Sequence, residues 1–203
     1  MRNAKKVLVA AVAASVSLLA GACGCEERCE GAIKVTCETP ENSETREREV
    51  DCRTEASHQS FASALGDRFS CREVNGRPTC VLDGEPKSEC AGKGDGRNAC
   101  AGKYQYQCAD GFATAVMDCT ITDDTNPRWM ALRDQFLCGV GLKGGAWCSL
   151  EGKPLPECAG VPDRKYSCRG PELRLSCLEG LAFQVEACNY PKYSCVNGSE
   201  CNF

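Results

Sequence analysis

The chain has 203 residues, with 19 cysteines, a single histidine, and 24 basic against 28 acidic side chains. The acidic balance argues against a nucleic-acid partner and against electrostatic attachment to anionic lipid. A lone histidine rules out two-histidine metal sites, and the cysteine density lies in the range of disulfide scaffolds.

Residues 1–22 read as an export signal. Arg2, Lys5 and Lys6 form a basic start, Val7 to Ala20 is an apolar run, and Ala20-Gly21-Ala22 supplies small residues for cleavage. The run is shorter than the ~20 residues a membrane span needs. Loss of this segment takes the basic count from 24 to 21 and the balance to −7.

Leu19-Ala20-Gly21-Ala22-Cys23 resembles the lipobox of bacterial lipoproteins, with Ala20 where that family most often has Leu. The resemblance implies that the Cys23 thiol is diacylated, that cleavage follows before it, and that the new N-terminus is often acylated too, with palmitate among the chains. Parity agrees, because nineteen thiols cannot all pair whereas eighteen can. The expected location is the cell envelope, lipid-anchored in the outer membrane, or else secreted.

The other eighteen cysteines fall into three sets of six. The first is Cys25, Cys29, Cys37, Cys52, Cys71 and Cys80. The second is Cys90, Cys100, Cys108, Cys119, Cys138 and Cys148, and the third is Cys158, Cys168, Cys177, Cys188, Cys195 and Cys201. Sequence between them also recurs. Leu82-Asp83-Gly84-Glu85-Pro86 returns as Leu150-Glu151-Gly152-Lys153-Pro154, and Ala64-Leu65-Gly66-Asp67-Arg68-Phe69 as Ala131-Leu132-Arg133-Asp134-Gln135-Phe136. A tandem duplication follows, with modules at 25–89, 90–157 and a shortened 158–203. The predicted fold is small and disulfide-rich, mainly β-hairpins with short helices, in three tandem six-cysteine modules. Bridges should close within modules, and six cysteines leave 15 connectivities open.

In each module a strand leads into the third cysteine. Ile33, Val35 and Cys37 alternate with polar residues, as do Tyr104, Tyr106 and Cys108, and Leu173, Leu175 and Cys177. Phe112, Thr114 and Val116, and Leu181, Phe183 and Val185, predict return strands after Gly111 and Gly180. In the first module Glu44 to Glu49 replaces that strand with a solvated charged ribbon. The eighteen-residue gap between fourth and fifth cysteines reads as a helix. Thr125 or Asn126 caps it, Pro127 sits in its first turn, and Trp129, Leu132 and Phe136 share a face. Phe61, Leu65 and Phe69 do the same in the first module. Asn75-Gly76 and Gly144-Gly145 mark tight turns, and Gly92 to Gly96 reads as a linker that protease should cut first.

No catalytic constellation emerges. His58 lies in a polar run, no Cys-x-x-Cys pair suggests zinc, and neither Asp123 to Asn126 nor Gly94 to Asn98 has EF-hand spacing. No metal or other cofactor is expected. Cys177 to Phe183, followed by Cys188-Asn189-Tyr190-Pro191 and Cys195, resembles part of the chitin-binding peritrophin-A module. That resemblance implies sugar stacking on Phe183, Tyr190 and Tyr193. The expected function is a non-enzymatic, disulfide-stabilised envelope lipoprotein offering a binding or adhesion surface to a glycan or protein ligand, through hairpin aromatics such as Tyr104 and Tyr106. The alternative is a secreted inhibitor or toxin-like protein presenting the Lys143-Gly144-Gly145 loop.

Overall fold

The computed structural model describes residues 25–41, 44–55, 63–121, 131–188, 194–196 and 200–202. Its elements repeat in one order, a three-stranded antiparallel sheet followed by a two-stranded hairpin. The first sheet is β1 (Arg28–Glu30), β2 (Ile33–Glu38) and β3 (Arg46–Asp51), and its hairpin is β4 (Phe69–Val74) and β5 (Arg77–Leu82). The second sheet is β6 (Arg97–Ala101), β7 (Tyr104–Ala109) and β8 (Phe112–Asp118), with hairpin β9 (Phe136–Val140) and β10 (Ala146–Leu150). The third is β11 (Lys165–Arg169), β12 (Leu173–Leu178) and β13 (Leu181–Ala187), with hairpin β14 (Ser194–Val196) and β15 (Glu200–Asn202). Two-residue turns close β1–β2, β4–β5, β6–β7, β7–β8 and β12–β13. Asn75 and Gly76 take φ of 53° and 73°, and Asp110 and Gly111 take 46° and 80°. Positive φ at both central residues matches the twist of paired strands, and Asn, Asp and Gly tolerate it.

Eighteen cysteines form nine disulfides, and each set of six pairs first to third, second to fifth and fourth to sixth. The bridges are Cys25–Cys37, Cys29–Cys71 and Cys52–Cys80; Cys90–Cys108, Cys100–Cys138 and Cys119–Cys148; Cys158–Cys177, Cys168–Cys195 and Cys188–Cys201. The placement explains the pattern. The first cysteine ties the lead-in chain to the middle strand. The second and fourth, on the first strand and just past the third, rivet the sheet to the two strands of its own hairpin. The third set keeps this pairing although its fourth-to-fifth gap is only six residues. Loops of 27 to 42 residues, such as Cys168–Cys195 and Cys29–Cys71, restrict the unfolded chain. Each contributes about 3–4 kcal/mol in a chain-entropy account.

Apolar packing joins consecutive sets. One buried cluster unites Phe69 and Leu82 of the first hairpin with Ala99, Tyr106, Ala113 and Val116 of the second sheet. A second unites Phe136, Ala146 and Leu150 of the second hairpin with Leu175, Ala182 and Val185 of the third sheet. Backbone bonds seal both junctions at matching places: Lys87 N donates to Gly111 O (2.8 Å) and Leu155 N to Gly180 O (2.9 Å). Sheet and hairpin therefore alternate along a stack whose packing is mostly between neighbours, as in solenoids.

The first sheet differs because no hairpin precedes it among the described residues. Glu44 to Glu49, expected to replace a strand, instead contributes most of β3, which pairs with β2 along its length. Register shows why its charge is tolerated. Tyr106 stands opposite Val116 and Leu175 opposite Val185, whereas Val35 stands opposite Glu49. The position that receives a hairpin in the later sheets here pairs an exposed acid, Glu49, with Val35, which is fully buried. A polar outer face is what the terminal unit of a stacked array requires.

The helical expectation is corrected only at its C-terminal end, the earlier part of both stretches lying outside the described residues. In the described part of the long gaps the chain makes a 3-10 turn at Ser63–Arg68 and another at Arg133–Gln135, with helical geometry only at 131–132 before the latter. Phe69 and Phe136 are not helical but open β4 and β9, opposite Leu82 and Leu150. Both rings are about 2% exposed. Hairpin pairing places them in the junction cores, which outweighs a spacing-of-four signal that helix and buried strand start can share. Phe61, Thr125, Asn126, Pro127 and Trp129 lie outside the described residues.

Candidate binding cleft

A cleft of about 590 Å³ opens beside the second junction. One wall is the chain from Gly92 to Asn98, another is the hairpin tip from Lys143 to Trp147, and Glu179 closes one side. The first wall exists because nine residues separate Cys90 from Cys100, where only three separate Cys25 from Cys29. It was expected to be a linker. Instead it is anchored, with Lys93 N donating to Cys90 O (3.0 Å), Arg97 N to Gly94 O (3.1 Å) and Gly96 N to Cys108 O (2.8 Å).

The hairpin tip is held by its own turn and by the third sheet. Gly141 N donates to Gly145 O, and Leu142 N to the carbonyl of Glu179 at 2.9 Å. The Glu179 carboxylate then accepts from Lys143 N (3.2 Å) and Gly145 N (3.1 Å). Gly141 is required here, since a Cβ on it would lie 2.5 Å from the Glu179 Cβ.

Charge is distributed unevenly around the opening. Lys143 pairs with Asp163, which raises the lysine pKa and lowers that of the carboxyl; Asp163 also accepts from Glu179 N at 2.7 Å. The earlier junction repeats this clamp, with Asp95 accepting from Asn75 Nδ2 (2.8 Å) and Asp110 N (3.1 Å). Asp95 is thereby committed to the first hairpin and the β7–β8 turn, although it sits between two cleft glycines. Lys93 and Arg97 have no ion pair or side-chain hydrogen bond among the described residues. Trp147 is half-buried, and its indole Nε1 is buried without a hydrogen-bond partner, an uncommon state for such a donor. The arrangement supplies positive charge, an aromatic ring and hydrogen-bond donors. Its lining contains one carboxylate and no hydroxyl, thiol or imidazole.

The residues predicted from sequence fall mostly elsewhere. Tyr106 was expected to be exposed and is a core residue, 9% accessible, because its face receives the preceding hairpin. Tyr104 packs partly against the same cluster, with Lys103 Nζ 5.1 Å from its ring centre. Phe183 is half-buried on β13. Tyr190, Tyr193, His58, Cys23 and Asp123 to Asn126 lie outside the described residues. Of the Gly94 to Asn98 run, Asp95 serves a turn. Among the described residues no three His, Cys, Asp or Glu side chains converge as metal ligands would. Lys143, Gly144 and Gly145 do line the cleft, but Lys93, Arg97 and Trp147 were not singled out as a site. The available signal was the Gly-rich gap after Cys90, absent from the first set, read together with a tryptophan just after a Gly-Gly turn.

No protein family matches this chain, and neither a curated protein nor a solved structure is similar to it.

Proposed function

We propose that the protein is a non-enzymatic, lipid-anchored component of the cell envelope whose stacked, disulfide-bonded units present a binding surface. Nine disulfides make it a stabilised protein of an oxidising environment. The observation that carries the binding reading is the cleft, whose two disulfide-held walls offer cations, an indole and a single carboxylate but no hydroxyl, thiol or imidazole. The anchor follows from Cys23, left over from the eighteen that pair. Only Gly24 separates it from Cys25, which is bridged to Cys37 on β2. A lipid on Cys23 would therefore hold the charged first sheet against the membrane surface, with the later units projecting away. The lipobox resemblance supports the lipid anchor, and the outer membrane is the location proposed for it.

The inhibitor reading has less support. An inhibitory loop must protrude and enter its target, whereas Lys143 to Gly145 is bound back onto Glu179 and Asp163.

Fractionation of cells carrying the wild type and Cys23→Ser tests the anchor. The wild type should stay with membranes and the variant should be released with its bridges intact. That fractionation includes a high-salt wash that strips non-covalent partners; in a separate low-salt test, purified Cys23→Ser protein added back to washed envelope fractions should bind them. Failure of that binding would refute the surface reading, whatever the anchor does.

A further inference from the structure

We propose that the cleft at the second junction takes a carboxylate-bearing saccharide of the uronic-acid type, with Lys93 and Arg97 holding the carboxylates and Trp147 meeting the sugar ring. This deepens the binding reading above and rests on it.

Charge selects an anion. The chain carries more acids than bases, yet among the described residues the two cations on the first wall have no carboxylate to answer them. The one acid between them, Asp95, is engaged by Asn75 and the Asp110 amide. Lys143 is already paired with Asp163, and the Glu179 carboxylate with two backbone amides. The unanswered charge at the opening therefore belongs to Lys93 and Arg97, and an arginine fork suits a carboxylate.

Size and surface select a sugar. A volume of about 590 Å³ far exceeds a single inorganic anion. Trp147 lines the opening with part of its half-buried ring, Nε1 being buried, and an apolar ring face suits the C–H face of a pyranose. The walls are mostly turns; only the first two residues of β6 (Arg97, Asn98) and of β10 (Ala146, Trp147) reach the cleft, too short an edge for the ladder of alternating donors and acceptors that holds an extended peptide. Glycines at 92, 94, 96 and 144 leave open space where side chains would stand.

Calorimetric titration of the exported Cys23→Ser chain with trigalacturonate, at low and high salt, tests this. Binding should be observed and should weaken with salt. Lys93→Gln/Arg97→Gln should lower affinity by about tenfold or more for the charge-assisted bonds lost, and Trp147→Phe by a smaller factor. Non-reducing peptide maps must show all nine bridges in each variant, so that loss of binding is not loss of fold. Equal affinity for neutral chitotriose, equal affinity for a tetraglutamate peptide, or displacement by inorganic phosphate at comparable concentration would each overturn the assignment. So would an absence of trigalacturonate binding. If the protein still binds envelope fractions in that case, only the ligand class is wrong. If it binds neither, the binding reading has failed as well.

Discussion

Leu150→Ala probes the idea that each hairpin and the following sheet form one local core. Leu150 ends β10, is fully buried, and belongs to the cluster holding Phe136, Leu155, Leu175, Ala182 and Val185. Truncation removes the transfer energy of its outer methyl groups and leaves a cavity. Such changes cost about 3–5 kcal/mol where surroundings cannot collapse. Here Cys119–Cys148 and Cys158–Cys177 restrain the surroundings, which favours the upper part of that range. In a stacked array the loss should be local. Native-state hydrogen exchange should therefore show reduced protection in β9–β13 and little change in β1–β5. Equal loss of protection in the first sheet would show one continuous core and refute the neighbour-only packing.

Gly141→Ala should cost about 1–3 kcal/mol by forcing a clash with the Glu179 Cβ, and proteolysis should then separate the third unit's strands from the second hairpin sooner than in the wild type. Asp83 carries a pH dependence: the Arg68 guanidinium, then Lys87, lowers its pKa from 3.8 to about 2. Its contribution is therefore present above the unfolded value and is lost as pH falls through the folded one. Because the Arg68 side chain is 52% exposed, the amount is held to about 1 kcal/mol. Asp83→Asn, which keeps a residue tolerant of the φ of 58° there, should flatten acid unfolding between pH 4 and pH 2; an unchanged profile would refute the assignment. Reversing the cap by Glu49→Val should expose an apolar position matching Val116 and Val185, and sedimentation should then reveal self-association absent from the wild type.

Much of this architecture was legible in sequence where a residue had to satisfy a local rule. Alternation before each third cysteine marked β2, β7 and β12, and Asn75-Gly76 marked the β4–β5 turn. The grouping of cysteines was visible, but their connectivity was not, because spacing does not say which strand ends meet. Phe69 and Phe136 were misread because a periodicity of four ran continuously from turn into strand. Glu44 to Glu49 was misread for a different reason: strand propensity is low for alternating charges, and only pairing with β2 at the exposed end of the stack makes them a strand. Tyr106 looked like a ligand-binding aromatic because sequence does not reveal what the previous unit covers. The cleft was least legible, since its walls come from Gly92 to Asn98, Lys143 to Trp147 and Glu179, segments joined only when sheet and hairpin stack.

Non-reducing peptide mapping of the mature protein, with mass determination of its N-terminal peptide, tests the central claim directly. It should recover first-to-third, second-to-fifth and fourth-to-sixth bridges in all three sets, and an acylated Cys23 outside them. A bridge between sets, such as Cys37 to Cys138, would contradict the stacked units, and Cys23 recovered in a disulfide would contradict the anchor.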